Sequence, residues 1–408
     1  MLFRSVNRHL VLGGLLRFRG LVLPEADRTR LRAAVNPDTV AFLGPAHPEF
    51  LTDWMIDKEI SCLCSPLMAH WASYEIVNLS PAVRSFWLAN NLIANVPGGG
   101  GKAYSVRWAI AGHGVLLHPE GTATWQGERI ATLLPGLADM AWEAATTLAA
   151  QGSSRPVHMV PLVWRLVFTR NAHAPLARDL ADLARRVGIA VPSGDLAARF
   201  AALMPSLLAH QCQRLGLEAP TARTGRDYFP AQAAVIQQLR TTLAERYGTL
   251  DENLTRAQFQ LRKAMRERMT HDADGVRADR ARLFELQRLA NFDPALYDRE
   301  RLDQERIAEV LKRMRGSLLT TRPGDVLRNT LPIAVAPRRV HVRVAEPIAV
   351  HTVRASCAPG DETQARAALL ATHHERLQRT LDALGDELAG ETRRHAMPNA
   401  LWSGGATR

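Results

Sequence analysis

Cysteine is scarce in this chain: only Cys62, Cys64, Cys212 and Cys357 occur, and no two of them have the C-x2-C spacing of a zinc ribbon or a redox site. Free thiols in a reducing cytoplasm are therefore expected. Long apolar runs are also missing. No window reaches the roughly 18 to 20 consecutive apolar residues that a spanning helix needs, which argues against a single-pass anchor. Residues 1–23 mix Arg4, Arg8, Arg17 and Arg19 with Leu, Val and Phe, and their longest uncharged stretch is short and broken by glycine. With no small-residue cleavage site after an apolar core, they do not read as a signal peptide. Internal repeats and low-complexity tracts are absent too, so neither a repeat array nor a compositionally biased linker is expected.

What remains is globular. The 408 residues are 47% hydrophobic and 22% charged, enough to bury a sizeable core in one large or two modest domains. A formal net charge of +11 implies attraction to polyanions: nucleic acid, an anionic membrane surface or an acidic carrier protein. Charge alone does not choose among them. The basic segment 1–23 reads as an amphipathic element lying on anionic lipid, or as an ordinary surface helix with a solvated basic face.

From about 38 to 172, short apolar runs alternate with helix-length stretches. Thr39 to Leu43, Gly114 to Leu117 and Val157 to Val163 read as buried strands, and 49–64, 66–78, 81–90, 103–112 and 134–151 as helices. That alternation predicts an α/β fold with a mixed sheet flanked by helices. Near 174 the texture changes to long helical patterns rich in Arg, Glu, Gln, Leu and Ala, which continue to about 318. Arg338 to Val350 then alternates with period two, as a half-buried strand should. The expected organisation is an α/β body of 24–172 and 333–392, interrupted by a large mainly helical insertion at 173–332. A last helix, Glu362 to Leu388, packs on the sheet, and a frayed tail follows from 393.

The segment GPAHPEFLTDW places His47 directly after an apolar strand, then Pro48, then a helix-like run holding Asp53. Proline favours the first helical position, so His47 falls at the strand-to-helix corner. There it overlooks the carboxyl edge of the sheet, where α/β proteins bind ligands. Six positions along a regular helix turn through about 240°, so the imidazole and the carboxylate meet only if His47 lies outside the helix.

With these residues in order, the sequence resembles the glycerolipid acyltransferase superfamily, which holds the lysophosphatidic acid and glycerol-phosphate acyltransferases. Its first motif, a His followed by an Asp after four or five residues, is matched by AHPEFLTD; its third, an apolar strand and P-E-G-T, by VLLHPEGT at 115–122. A Pro-bearing strand follows in HMVPLV at 158–163, a Gly before an alanine-rich helix in LLPGLADMAWEAA, and a strand ending like G-E-P-I in VAEPIAV. The resemblance implies transfer of a fatty acyl group from acyl-CoA or acyl-carrier protein to a hydroxyl of a lysophospholipid or related lipid. His47 would be the general base and Asp53 its partner. Glu120, Gly121 and Thr122 would border the acceptor. It further implies a cytoplasmic chain, peripheral on the inner face of a membrane, with no cofactor and no metal.

That chemistry is intelligible from the residue types. An aliphatic hydroxyl is not ionised near neutral pH, and a neutral imidazole can take its proton as the new bond forms. A carboxylate on the other ring nitrogen fixes the tautomer and stabilises the imidazolium. A thiol leaves readily, so neither a protein nucleophile nor a metal is required. Gly121 permits close backbone approach, and neighbouring N–H groups can bind a phosphate or an oxyanion. Glu120 cannot attract a phosphate and is expected to orient a cation or hold the loop.

Three departures bear on the acceptor. Ala46 stands where the family commonly has Asn, Ala123 where members with phosphorylated acceptors commonly have Arg, and the stretch for the second motif is ANVPGGGGKAYSVR. Lys102 or Arg107 is expected to supply the missing cation. The glycine run Gly98 to Gly101 lacks P-loop spacing and reads as a flexible substrate loop or a connector. Trp54, Trp71, Phe86 and Trp87 lie in apolar helical stretches near the dyad and are expected to pack in the core, to line an acyl groove or to rest at a bilayer interface. His70, His113 and His118 have no metal-ligand spacing and are expected to be solitary structural residues. A non-enzymatic lipid-binding scaffold with a degenerate site is the competing reading. Nucleic-acid binding through 255–316 is not expected, because acidic residues interleave with the basic ones and no aromatic pattern accompanies them.

Overall fold

The computed structural model describes residues 6–402 apart from 50, 51, 79, 97, 223, 320, 321, 331, 332 and 400. The chain divides into two compact units. One comprises Met1–Ala123, Gly127–Val167 and Arg338–Ala389; the other comprises Thr124–Gln126, Phe168–Pro337 and Gly390–Arg408.

The first unit is α/β. Its strands are β1 (Phe18–Val22), β2 (Val40–Pro45), β3 (Ala69–Ser73), β4 (Leu92–Asn95), β5 (Val115–Leu116), β6 (Val157–Phe168), β8 (Arg338–Val344) and β9 (Ile348–Ala349). They form a mixed eight-stranded sheet in the order β1-β8-β6-β2-β5-β3-β4, with β9 antiparallel on β6. The pairings of β2 with β5 and β6, of β3 with β4 and β5, and of β1 with β8 are parallel. β2 is buried along its whole length, as a central strand covered on both faces by helices must be. The helix Gly136–Ala150 covers one face through Leu137, Met140, Ala141 and Leu148. Glu25–Ala34 and Thr52–Cys64 bury Leu31, Ile56 and Ile60 with Leu43, Leu116 and Val160. The long helix Glu362–Arg393 adds Leu377, Leu381 and Leu384 beside Val163 and Val167.

Several local expectations are corrected. The stretch 66–78, read as one helix, is β3 followed by the short helix Tyr74–Val77, and β4 has no counterpart among the expected strands. Part of the basic segment 1–23 is β1, inside the sheet. Before it, the helical stretch Val6–Leu15 buries Leu12, and Asn7 donates to Glu59 Oε1 over 2.9 Å, so it is docked on the helix Thr52–Cys64. Residues 1–5 of that segment lie outside the described residues. The strand expected across 338–350 stops at Val344 and resumes as β9.

The second unit is mainly helical, with the helices His173–Arg186, Leu196–Leu215, Tyr228–Tyr247, Leu254–Arg268, Ala273–Ala290 and Gln304–Leu318 around one apolar cluster that includes Leu207, Val235, Leu286 and Val310. It runs from 168 to 337 rather than from 173 to 332. The chain end is not wholly frayed: β10 (Met397–Pro398) pairs antiparallel with β7 (Arg301–Leu302), while 403–408 lie outside the described residues. Among the described residues no helix is long and apolar enough to cross a membrane.

Candidate active site

The register of three strands builds the site. β2 lies between β5 and β6 with Leu43 level with Leu116 and Val160, so the chain after Pro45 and the chain after Leu116 leave the sheet side by side. Ala46 is still tied to the sheet through its N–H to Leu162 O, 2.9 Å. His47 comes next, outside the helix, which begins at Thr52. Asp53 then lies in the first helical turn, where the exposed N–H groups of a helix start favour a carboxylate.

The expected dyad is formed. His47 Nδ1 is hydrogen-bonded to Oδ2 of Asp53, and the side chains are 15% and 2% exposed. Asp53 also accepts from the N–H of Glu49 at 3.3 Å. Burial, helped by His118, pushes His47 well below the usual imidazole range, so the ring stays neutral. Burial and the nearby Asp57 and Glu49 carboxyls push Asp53 upward, opposed by the Glu49 amide.

Glu120 holds the loop. Its Oε1 accepts the backbone N–H of His47 at 2.6 Å and its Oε2 that of Ala131 at 2.7 Å, joining the strand end after β2 to the segment before the helix Gly136–Ala150. Burial lifts its carboxyl to about 7, against the pull of those two amides. Gly121 adopts φ +71°, and a Cβ there would come within 2.5 Å of Leu134 Cδ1, so the turn requires glycine. Its N–H donates to His118 O at 3.1 Å. Thr122 is half-buried in the same loop. Lys102 and Arg107 are exposed on the helix Gly101–Ile110, and Lys102 sits 3.5 Å from Asp139, a partner outside the dyad.

Four residues of the cluster escaped the sequence reading. His118 is not solitary: its ring stacks on that of His47 with centroids 4.1 Å apart and planes 19° from parallel. Its Nδ1 donates to Ala46 O at 3.0 Å, and its Nε2 meets Asp57 Oδ2 at 3.1 Å. Glu49 accepts both terminal nitrogens of Arg338 at 3.0 and 2.9 Å and the Thr52 hydroxyl at 2.6 Å, so a guanidinium from β8 braces the loop that bears the dyad. His118 and Glu49 each touch a recognised motif in sequence, which is a usable signal. Asp57 and Arg338 carry none.

Donor atoms of His47, Asp53 and His118 all lie within 4.8 Å of one another, the spacing of a three-ligand metal site. The ring geometry disfavours that use. Imidazole lone pairs lie in the ring plane, and two rings stacked this nearly parallel aim theirs side by side instead of at one point. What the arrangement can do is hold a neutral imidazole, fixed in plane by a stacked neighbour and in tautomer by a carboxylate. Of the four tryptophan and phenylalanine residues near the dyad in sequence, Trp54, Phe86 and Trp87 form an edge-to-face cluster, with Phe86 exposed, and Trp71 donates to Ser105 at 2.9 Å. No family model matches the chain, and no curated protein sequence gives a significant match.

Proposed function

We propose that this protein is an acyltransferase of the glycerolipid type, with the corresponding fold, acting peripherally at an anionic membrane surface. It moves a fatty acyl group from the thioester of acyl-CoA or acyl-carrier protein to a hydroxyl of a lysophospholipid or related lipid. The observation that carries the reading is the His47–Asp53 hydrogen bond at the carboxyl end of a central parallel strand, joined through the His47 amide to the glutamate of the Pro-Glu-Gly-Thr loop. The acceptor hydroxyl attacks the thioester carbonyl and its proton passes to Nε2 of His47, the nitrogen that Asp53 does not engage. The C–S bond then breaks, and the imidazolium returns the proton to the thiolate. Asp53 keeps the proton of Nδ1 in place during both transfers. Glu120 positions the backbone of His47 and touches no reacting atom in this scheme.

The test is a purified-protein assay of palmitoyl-CoA against lyso-lipids with and without a phosphate headgroup, following free thiol and weighing the product by mass. Acceptor-dependent thiol release that disappears in His47→Ala is expected. Release that persists in that variant, or a chain inert toward every acceptor, would remove the reading.

A further inference from the structure

Beneath the dyad lies a second His–Asp pair with chemistry of its own. The Nδ1 of His118 faces Ala46 O, and a peptide carbonyl only accepts, so Nδ1 bears a proton. The contact between Nε2 and Asp57 Oδ2 needs another, since two lone pairs would otherwise face each other. His118 and Asp57 together therefore hold one proton more than a neutral imidazole beside a carboxylate. Asp57 has little alternative: it is buried, and its Oδ1 has no hydrogen-bond partner among the described residues. The Trp164 ring stands perpendicular to that of His118 with centroids 5.9 Å apart, and the His47 ring stacks on the His118 ring.

We propose that the His118–Asp57 pair is a positioning element for His47, a flat shelf under its imidazole whose shared proton keeps a second proton off that ring. The base then stays unprotonated in mildly acidic as well as neutral conditions. This tuning role rests on the acyl-transfer reading, whereas the coupling of the two rings does not. The other charged and titratable groups around the pair are Asp53 and Lys58 on the helix that carries Asp57, Glu120 on the loop after His118, Glu49 held by Arg338, and His70 on β3. Asp53, Glu49 and Glu120 are carboxyls, which attract a proton to His47; the proton shared by His118 and Asp57 opposes them at van der Waals distance. Burial of Asp57 raises its carboxyl and the His118 contact opposes that rise.

The experiment is a histidine-ring NMR titration of the full chain, set beside the pH profile of kcat/KM for acyl-CoA, in the wild type, His118→Phe and Asp57→Asn. Phenylalanine keeps a flat ring under His47 but no proton; asparagine keeps a hydrogen-bonding group for Nε2 and serves if the first variant does not fold. In both, the His47 midpoint is expected to rise by about one pH unit, and the acidic limb of the profile with it, costing about tenfold in rate at the acidic end. A purely structural shelf would leave the midpoint where it is, and an unmoved midpoint in both variants overturns the proposal. A moved midpoint in a protein that transfers no acyl group keeps the coupling and discards the acyl-transfer reading. His47-dependent transfer with an unmoved midpoint and limb does the reverse.

Discussion

The two units hold their carboxyl groups in opposite ways. In the sheet unit, Asp53, Asp57 and Glu120 are gathered at the strand ends and all three carboxyls are pushed upward by burial. In the helical unit, Asp272 and Asp325 are pulled below the ordinary carboxylate range by Arg246 and Arg186, and Arg315 bridges Asp179 and Asp182 at 3.0 Å. Glu285 is the exception there, raised by burial although Ser317 donates to it at 2.6 Å. Arginine-paired carboxylates fasten helices to one another; carboxyls crowded together against their own ionisation are costly, and such crowding concentrates where chemistry is done.

The comparison breaks most visibly at the base. His47→Ala is expected to lower kcat about 10²- to 10⁴-fold in the thiol-release assay, with the thermal transition nearly unchanged. Equal activity in variant and wild type would make the sheet unit's cluster structural after all. The brace comes next. Arg338→Ala leaves Glu49 buried with the Thr52 hydroxyl on one oxygen, and should cost about 3 to 5 kcal/mol in urea unfolding, much of it recovered by adding Glu49→Gln. Arg246→Ala in the helical unit should cost far less, because Asp279 keeps the Tyr247 hydroxyl at 2.8 Å and Arg282 at 2.9 Å, and Asp272 is substantially exposed. Comparable losses would erase the contrast.

Glu120 sharpens it through pH. Its carboxyl titrates near 4.5 in the unfolded chain and at about 7 when buried, so its contribution to stability is full below the first value and is lost as pH rises through the second. The loss is on the order of 3 kcal/mol. Glu120→Gln removes it, so urea midpoints of the wild type should fall relative to the variant between pH 4.5 and 7.5; parallel curves would mean that the carboxyl is not perturbed. The smallest effect concerns metal. Dialysis against a chelator should leave His47-dependent activity within about twofold, whereas loss restored by zinc would revive the three-ligand reading of His47, Asp53 and His118.

The sequence reading reached as far as local signals reach. The apolar run through Leu43 placed the strand end correctly, but Pro48 does not open the helix, which begins at Thr52; the strand 157–163 and the helix 134–151 followed from pattern alone. β3 and β4 did not, because AHWAS and LIAN are too short for a period to declare itself. β1 was hidden by Arg19 and the arginines before it, which read as a membrane-facing stripe although Phe18 and Arg338 pair across the sheet. Lys102 or Arg107 is the cation the sequence offers to the acceptor, but both are exposed and the described partner of Lys102 is Asp139. The clasp between Glu49 and Arg338 joins residues far apart in the chain, and no local pattern encodes a contact of that kind.

That clasp governs when the site can exist. β8 sits between β1 and β6, so among the described strands β1 has no neighbour in the sheet until β8 has been made. A nascent chain that has emerged only through the Pro-Glu-Gly-Thr loop holds His47, Asp53 and Glu120 yet lacks the guanidinium that braces Glu49 beside them. On the acyl-transfer reading, a ribosome-stalled fragment ending before Arg338 is therefore expected to be inactive in the thiol-release assay, and one that includes the β8 arginine to gain activity.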